Sequence, residues 1–579
     1  MPGSDSDPPP VSADGRTLLD VGDAPHAVVP PLPADRDPVA AHYCRTLEQV
    51  RAADHDIVIV GGGAVGAAVL DRLMQRTQSA ALRVLVLEKG SFLLPEHVQN
   101  LHPRYQRLMK DAVARPWRRA AGTTFDLAPQ IPYLGGRAQF WSTWIPRPSD
   151  EQMSGWPKSV KDSLGLYWDS ADRFLGAVHP RHMGEQFTVF QPRLRERLQA
   201  KLGGIGHFPA GIQAPDLEVP LASRATTSSL GYRKFSPVPV LIELTESFPR
   251  QVDVVTGCEV LEIRHDAPAD GAAGPGCRAT EISTTQGVLR LGPRTALVLA
   301  NGIVEPTGLL LDSFADVLPP FAGTNLGGHV ASWFSARVPR AAWPGLEDKG
   351  LQVACMYLRG RVEGDGGPQE ARDFHIHLMG ASNPSPDTAV PDLYRLIPDS
   401  FDQEFLQQLS GRDHIGFLVH CLGEWRSGPK DADGSRVCTD RGDTVLALRP
   451  GERDLRLRAT MDQQAQQVVR EILAGGLSAS QIEYWHPAED GRPGAWEPRI
   501  PPGRLKDALV HESGTLWLGE SPDGSVTTTD CRLHQVSNVY VGGAATFPTS
   551  GSWNPTLAAV AMAQRLADHL LDRWTKGWA

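Results

Sequence analysis

A strand that runs directly into a glycine-rich turn and then into a helix limits the fold of this chain more than any other feature. The stretch DIVIVGGGAVGAAVLDRLMQ begins with a run of Ile and Val typical of a buried strand and continues as an apolar-periodic helix. Between the two, Gly61, Gly63 and Gly66 form the pattern GxGxxG. The first glycine permits a tight turn, the second lets the backbone approach a pyrophosphate, and the third packs helix against strand. The sequence therefore predicts a dinucleotide-binding unit whose phosphates lie against Gly61, Gly63, Ala64 and Gly66.

An acidic residue at the end of the next predicted strand supports this interpretation. The run LRVLVLEKG ends in Glu88, whose carboxylate can accept hydrogen bonds from ribose hydroxyl groups. The strand before the turn, the helix after it and the acid beyond disfavour the alternative of an ordinary glycine-rich turn. The pattern does not distinguish a nicotinamide from a flavin dinucleotide, because both bind to it.

The composition excludes several classes of protein. The 579 residues include 41% hydrophobic and 21% charged residues, which is typical of a globular chain with a sizeable core and more than one domain. The net charge of −10 and the lack of basic runs interleaved with aromatics predict no nucleic-acid partner. Seven scattered cysteines without a CxxC pair predict reduced thiols. No apolar run is long enough to span a bilayer and no signal peptide is recognisable, so we expect no membrane association and a cytoplasmic location.

The predicted elements divide the chain into two interleaved domains of an α/β (α+β two-domain) fold. Runs such as QVDVVTGCEVLEIRH and RTALVLANGIVEPTGLLL extend the Rossmann-like, dinucleotide-binding domain. Long β-like runs such as LQVACMYLRG and DHIGFLVHCLGEW predict an inserted substrate domain on a mainly antiparallel sheet. The expected segments are a flexible, proline-rich arm at residues 1–40, the dinucleotide-binding domain at 41–150, 231–330 and 505–579, and the substrate domain at 151–230 and 331–504.

Three motifs near the end of the chain carry a family resemblance. They are HESGT at residues 511–515, SNVYVGGAATFPTSG at 537–551 and NPTLAAVAMAQRLAD at 554–568. With the glycine-rich turn, these motifs resemble the glucose-methanol-choline (GMC) oxidoreductases, which are FAD-dependent alcohol oxidases and dehydrogenases. The resemblance implies FAD as the cofactor and a small alcohol or sugar as the substrate. It implies O2 or a quinone-like molecule as the electron acceptor, and it leaves the oligomeric state open.

One further segment resembles the pyranose oxidase branch of this family. The run YLGGRAQFWSTWIPRP, residues 133–148, is similar to the flavin-contacting segment of that branch. Phe140 stands where the fungal members carry a histidine that bonds the flavin covalently. Since phenylalanine has no nucleophilic nitrogen, we expect FAD to bind non-covalently. The cofactor-binding residues implied by the resemblance, beyond the glycine-rich turn and Glu88, are Gly135, Gly136, Gln139, Trp141, Ser142, Val260, Gly543, Ala544, Asn554, Pro555 and Thr556.

The resemblance also implies two catalytic residues, His511 and Asn554. Alcohol oxidation removes a hydroxyl proton while a hydride leaves the carbon, so a base must lie within hydrogen-bond reach of the hydroxyl group. A neutral histidine offers one acceptor nitrogen, and an asparagine amide can hold the oxygen in place. Asn-Pro is also an ordinary helix start, so Asn554 could instead be only the N-cap of the helix that begins at Pro555.

Several alternatives stay open at this point. His375 and His377 lie on one face of a predicted strand, where metal binding lacks a third ligand and a polar face or substrate-site lining is favoured, so we expect no metal. Trp141 and Trp553 could stack on flavin or sugar, or belong to the core. The leading function is oxidation of a sugar, glycoside or similar alcohol. The alternatives are a hydroxynitrile-lyase-like enzyme, a non-catalytic flavin protein and a nicotinamide dehydrogenase.

Overall fold

A computed structural model describes most of the chain. The described residues are 37–77, 79–225, 232–266, 276–347, 349–364, 367–399, 403–431, 433–489 and 492–578. The predicted arm at residues 1–40 lies almost entirely outside them. Its last residues are helical, because the Asp37 side chain accepts hydrogen bonds from the backbone of Val39 and Ala40 at the start of the first helix.

The α-helices of the described residues are distributed along the whole chain. They are α1 (Pro38–Tyr43), α2 (Leu47–Val50), α3 (Ala64–Arg76), α4 (Leu108–Ala112), α5 (Lys158–Leu164), α6 (Trp168–Leu175), α7 (Phe190–Lys201), α8 (Pro237–Ser247), α9 (Val304–Ser313), α10 (Val390–Leu396), α11 (Gln403–Gln408), α12 (Glu452–Val468) and α13 (Thr556–Thr575). The predicted arm is followed by two short helices, α1 and α2, and the first of them begins within its expected bounds, at Pro38.

The strands of the same residues are, in chain order, β1 (Ile57–Val60), β2 (Val84–Leu87), β3 (Arg118–Arg119), β4 (Asp126–Leu127), β5 (Ala177–Val178), β6 (Leu221–Ala225), β7 (Tyr232–Lys234), β8 (Val252–Val255), β9 (Val260–His265), β10 (Ala279–Thr284), β11 (Gly287–Arg290), β12 (Ala296–Leu299), β13 (Gly327–Pro339), β14 (Gln352–Gly364), β15 (Gly367–Ser382), β16 (His414–Trp425), β17 (Arg436–Asp440), β18 (Asp443–Ala447), β19 (Glu483–His486), β20 (Ala495–Glu497), β21 (Leu505–Ser513), β22 (Leu518–Gly519), β23 (Thr527–Thr528) and β24 (Val539–Val541).

A parallel five-stranded sheet forms the centre of the dinucleotide-binding domain. Its order is β24-β12-β1-β2-β8, and β1 pairs in parallel with both β2 and β12. The residues of β1, β2 and β12 are all buried, as expected for a parallel sheet covered on both faces. Helices α3 and α13 pack together, and Arg72 of α3 makes a bidentate ion pair with Asp568 of α13, at 2.8 and 2.7 Å. The predicted strand–turn–helix unit is therefore present.

A second sheet is mainly antiparallel. Its strands follow the order β14-β15-β16-β13-β19-β20, and β21 joins it along β13. Apolar side chains fill both of its faces, with α7 and α12 on one of them. The mixed α/β fold with a parallel dinucleotide-binding sheet and an antiparallel second sheet is confirmed. No helix among the described residues is long and apolar enough to cross a membrane, and all seven cysteines are free thiols.

The packing divides two segments differently from the expected domain bounds. Strand β21 lies within residues 505–579, which the sequence assigns to the dinucleotide-binding domain, yet it pairs with β13 of the antiparallel sheet. Conversely, residues 153–175 fall in the expected substrate domain, but their apolar side chains pack into the core of the parallel sheet. Strand β21 is therefore part of the antiparallel sheet.

Candidate active site

His511 lies at a bulge in β21. Two residues of this strand, His511 and Glu512, lie opposite the single Gly328 of β13. His511 has a φ of 57°, a left-handed conformation that is uncommon outside glycine. A bulge of this kind changes the direction of a side chain relative to its strand, and such strained residues cluster at functional sites. The backbone therefore turns His511 out of the regular strand pattern.

A second histidine fixes the tautomer of His511. The two Nδ1 atoms of His511 and His329 lie 2.8 Å apart, and His329 Nε2 lies 2.9 Å from the carbonyl oxygen of Gly551. Because a carbonyl only accepts hydrogen bonds, His329 Nε2 carries the proton and its Nδ1 is the acceptor. His511 therefore donates from Nδ1 and keeps an unprotonated Nε2. This Nε2 has no hydrogen-bond partner within the described part of the chain.

The surroundings keep this imidazole neutral. Burial lowers the pKa of His511 well below its ordinary value. The imidazoles of His329 and His377 and the guanidinium of Arg137 lower this pKa further. Burial also lowers the pKa of His329, to about 4, so the donor–acceptor order of the pair persists at neutral pH. His511 is thus available as a proton acceptor.

Arg137 connects His511 to the segment that resembles a flavin contact. Arg137 follows Gly136, and its guanidinium makes a two-point contact with the buried carboxylate of Glu512, the neighbour of His511 in the bulge. Charge-assisted pairs of this bidentate form fix geometry as well as charge. The ion pair therefore holds the bulge of β21 against residues 136–139.

Asn554 does not cap the helix that follows it. Helix α13 begins at Thr556, the N-cap position is Pro555, and no side chain caps its first turn. The Asn554 side chain is buried instead, and its Oδ1 lies 3.1 Å from Nε2 of His377. The interpretation of Asn554 as a helix cap, and of Pro555 as the first helical residue, is wrong, since the amide is held by a side chain of the antiparallel sheet.

His377 is held on its other side by a carboxylate. Its Nδ1 lies 3.0 Å from Asp399 Oδ2, which also accepts a hydrogen bond from the indole of Trp144 at 3.1 Å. The Trp144 ring stacks on the imidazole with a centroid distance of 4.7 Å. His375 does lie beside His377, with ring centroids 4.9 Å apart, and its Nδ1 contacts Ser552 Oγ at 2.9 Å. The described residues contain no cluster that could hold a metal ion.

The glycine-rich turn has the shape of an anion cradle. Gly61 has a φ of 103°, and a Cβ on Gly66 would lie 2.0 Å from the Gly61 carbonyl oxygen, so both positions require glycine. A Cβ on Gly63, by contrast, would meet no protein atom within 4 Å. Gly63 opens α3, and no side chain caps the first turn that begins at Ala64. This free space beside backbone N–H groups fits a dinucleotide pyrophosphate.

Glu88 lies where the sequence places it, at the end of β2. Its two carboxylate oxygens accept hydrogen bonds from the backbone of Gly62, at 2.8 Å, and Gly90, at 3.1 Å. Burial raises its pKa to about 7. The backbone of Cys258 donates to the Glu88 carbonyl at 2.9 Å, which brings the strand that begins at Val260 close to this acid. Both remain predicted contacts of the cofactor.

The 135–142 segment joins the cradle directly. The Gly135 backbone donates to the Gly62 carbonyl at 3.1 Å, and a Cβ on Gly136 would lie 4.0 Å from the Cα of Gly63. Gln139 braces this turn, since its Nε2 donates to the carbonyl oxygens of Leu94 and Leu134. Its predicted contact with the cofactor remains a prediction.

The aromatic residues of the two motifs have different surroundings. Phe140 is buried in a small apolar cluster. The indole of Trp141 is half-buried and donates to the carbonyl of Phe235 at 3.0 Å, and Ser142 beside it is half-buried too. Trp553 is buried in the core, and a Cβ on Gly551 would overlap its ring. Of the two interpretations of Trp553, the core aromatic is the one the structure supports.

The last predicted cofactor segment lies between the cradle and His511. Gly543 has a φ of 79° and packs against Val65 of α3, while the carbonyl of Ala544 accepts a hydrogen bond from Gly514 at 3.0 Å. Gly514 follows the His511 bulge closely in sequence. The N-terminus of α13, at Pro555 and Thr556, completes this group of backbone segments.

Sequence reasoning missed His329, Trp144 and Asp399. Trp144 lies within the 133–148 segment but was not singled out there, and His329 and Asp399 belong to no recognised motif. His329 precedes His511 by 182 positions along the chain. The HIH run gave a partial signal, because it indicated two imidazoles on one strand face. Nothing in the sequence indicated that one of them holds Asn554.

Comparisons with known proteins add four findings. The GMC oxidoreductase family model, for the C-terminal domain, matches residues 446–563. The C-glycoside 3-oxidase of Arthrobacter globiformis is 39% identical over 454 residues, which are 76% of this chain and 74% of the relative. The paromamine 6′-oxidase of Streptomyces fradiae is 23% identical over 90% of this chain and 92% of its own length. The crystal structure of pyridoxine 4-oxidase from Mesorbium loti matches the fold with a TM-score of 0.54 at 17% identity, covering 89% of this chain and 99% of the other.

Proposed function

This chain belongs to the GMC oxidoreductase family as an alcohol-oxidising enzyme, and we propose that it oxidises a hydroxyl group of a sugar or glycoside to a carbonyl with non-covalently bound FAD. The observation that carries the proposal is the unprotonated Nε2 of His511, fixed by His329 and the Gly551 carbonyl. The names of two relatives, a C-glycoside 3-oxidase and a paromamine 6′-oxidase, support a sugar-containing substrate.

The chemistry assigns distinct roles to two residues. His511 Nε2 accepts the proton of the substrate hydroxyl group, while the Asn554 amide holds the same oxygen. When bound, FAD supplies the hydride acceptor. The His511 side chain stores the proton as an imidazolium, and hydrogen bonding between its Nδ1 and His329 keeps the ring oriented. Orientation by both residues directs the C–H bond of the substrate toward the cofactor side of the site.

The cradle residues support the choice of cofactor. The space beside Gly63, the uncapped start of α3 and the carboxylate of Glu88 suit the pyrophosphate and ribose of a dinucleotide. Phe140, buried among apolar side chains, offers no nitrogen for a covalent bond. After acid precipitation, the flavin of the purified protein should therefore stay in the supernatant.

An anaerobic reduction experiment tests the function. Glycosides and free sugars are mixed with the purified yellow protein, and loss of flavin absorbance is followed in a stopped-flow spectrometer. His511→Ala should reduce the rate constant by about 10²- to 10⁴-fold, because it removes the general base. His42→Ala, at an exposed histidine, is the control. If His511→Ala were bleached at the parent rate, His511 would not be the base.

The same preparation separates the alternatives. A lyase would turn over its substrate without bleaching the flavin, and a non-catalytic flavin protein would do neither. Reoxidation by O2 and by a benzoquinone, compared after complete reduction, identifies the electron acceptor. We expect bleaching by at least one glycoside.

A further inference from the structure

The contacts around Asn554 go beyond its role as a partner of His511. Resting on the proposed function, we infer that Asp399 and His377 are positioning residues that turn the Asn554 carboxamide so that its NH2 group, and not its carbonyl, faces the substrate oxygen. Asn554 then acts as a hydrogen-bond donor to that oxygen. The inference follows from three steps along the chain of contacts from Asp399 to Asn554.

The first step is the ionised state of Asp399. Burial opposes ionisation, but hydrogen bonds from His377 and His420 hold its pKa well below the ordinary value. The indole N–H of Trp144 donates to the same oxygen, Oδ2. The Asp399 side chain is 14% exposed, so these donors replace most of its hydration. An ionised carboxylate only accepts hydrogen bonds, so Nδ1 of His377 must be protonated.

The second step is the orientation of the amide. His377 Nε2 faces the carbonyl oxygen Oδ1 of Asn554, at 3.1 Å, and this oxygen is also only an acceptor. This contact requires a proton on His377 Nε2, so the inferred orientation of the amide requires a ring that donates to both Asn554 and Asp399. With Oδ1 occupied, the NH2 group of Asn554 points elsewhere, and its Nδ2 has no hydrogen-bond partner within the described ranges of the chain.

The third step is the effect on the reaction. As His511 removes the hydroxyl proton, negative charge develops on the substrate oxygen, and an N–H donor stabilises that charge where a carbonyl would repel it. The Trp144 ring, stacked on His377, keeps the imidazole plane fixed. His377 also helps to keep His511 neutral, because its proximity lowers the pKa of that imidazole. One buried imidazole thus serves both members of the catalytic pair.

Isosteric variants of Asp399 test this arrangement. In Asp399→Asn the charge is lost, His377 becomes neutral with an unprotonated Nε2, and the Asn554 amide rotates to place its NH2 on that nitrogen. The reduction rate constant at saturating substrate should fall by about 10²-fold, as when one oxyanion donor is removed, with flavin content retained. Asp387→Asn is the matched control, because Asp387 is exposed and pairs with Arg412.

A double-mutant cycle separates positioning from a merely structural effect. Asn554→Ser should be slow by itself, and adding Asp399→Asn should slow it by less than about threefold, because both changes remove the same donor. Losses that multiply in the double variant, or a parent-like rate in Asp399→Asn, would overturn the inference. If no alcohol bleaches the parent flavin, the proposed function has failed instead.

A measurement that needs no turnover completes the test. In holoenzyme labelled with ¹⁵N-histidine, the two-bond ¹H–¹⁵N spectrum at neutral pH should contain the signal of an imidazole with both nitrogens protonated. This signal should disappear in His377→Gln. A neutral tautomer at His377 would overturn the inference even if the parent is inactive. His377→Gln, which can still donate to Asn554, should also retain more activity than His377→Leu. Equal activities of these two variants would contradict the amide orientation.

Discussion

The surroundings of His511, the base of the proposed reaction, decide both the tautomer and the charge of its imidazole. His329 accepts a hydrogen bond from the Nδ1–H group of His511, and burial disfavours the imidazolium of either ring. The sequence motifs singled out His511 and Asn554 as candidates. They could not identify His329 or His377, because these residues lie on strands that approach the motifs only after folding.

The neutral state of His511 predicts an unusual pH dependence. A histidine with an ordinary pKa near 6.5 would be about one-tenth neutral at pH 5.5. Since the pKa of His511 is well below that value, the group stays neutral as the pH falls. The rate constant of anaerobic flavin reduction should therefore change by less than about twofold between pH 7.5 and pH 5.5. A tenfold loss over this range would show that His511 titrates normally.

The contact between the imidazoles of His329 and His511 predicts that substitution of His329 changes the reduction rate, although His329 acts through His511 and not on the substrate. In His329→Leu, the Nδ1 proton of His511 loses its acceptor, so the proton can move to Nε2 and block the base. We expect the reduction rate constant to fall by roughly 10- to 100-fold with flavin content unchanged. His329→Asn, which retains an acceptor oxygen, should lose less. Equal rates in both variants would contradict the role of His329 as the acceptor that fixes the tautomer of His511.

At the scale of elements, the site forms where backbone geometry departs from regular structure. The bulge in β21, the turn at Gly135 and Gly136 and the uncapped starts of α3 and α13 are all irregular. The glycine-rich turn was predictable, because its spacing reflects a local strand–turn–helix unit. The bulge was not, since a left-handed histidine has no sequence signature and depends on pairing with β13. Likewise, the start of α13 was predicted one residue early because proline is common at both positions.

Two glycines of the cradle, Gly63 and Gly66, should affect different properties of the protein. Substitution of Gly66 should lower its stability, and substitution of Gly63 should lower its affinity for the cofactor. Gly66→Ala would place a methyl group 2.0 Å from a backbone oxygen, so it should lower the melting temperature of the protein. Gly63→Ala adds a methyl group that meets no protein atom within 4 Å, and its φ of −80° suits alanine. It should therefore fold like the parent but bind FAD at least about tenfold more weakly. Unchanged FAD affinity in Gly63→Ala, measured by flavin fluorescence, would contradict the predicted phosphate position.

At the scale of the whole molecule, a buried polar side chain links two segments that the sequence assigns to different domains. Lys234, expected in the dinucleotide-binding domain, is buried, and its ammonium donates to Gln99 at 2.7 Å and to the carbonyl of Ile397 at 3.1 Å. Ile397 belongs to the segment that ends in Asp399. The Lys234 side chain thus fastens the segment of Asp399 to the other domain. The sequence predicted two interleaved domains, but such a link could not be read from it, because its partners are far apart in the chain.

Lys234 also predicts how stability depends on pH. Burial lowers its pKa in the folded protein to about 7, whereas an unfolded chain has a lysine pKa near 10.4. Between these values the unfolded state binds more protons, so the contribution of Lys234 to the free energy of unfolding rises with pH. Relative to Lys234→Met, the parent should gain about 2 kcal/mol between pH 7 and pH 9, measured by urea denaturation followed by tryptophan fluorescence. Exposed Lys110→Met is the control and should show no such gain. A gap between parent and Lys234→Met that is constant over this range would mean that Lys234 keeps its ordinary pKa in the folded protein.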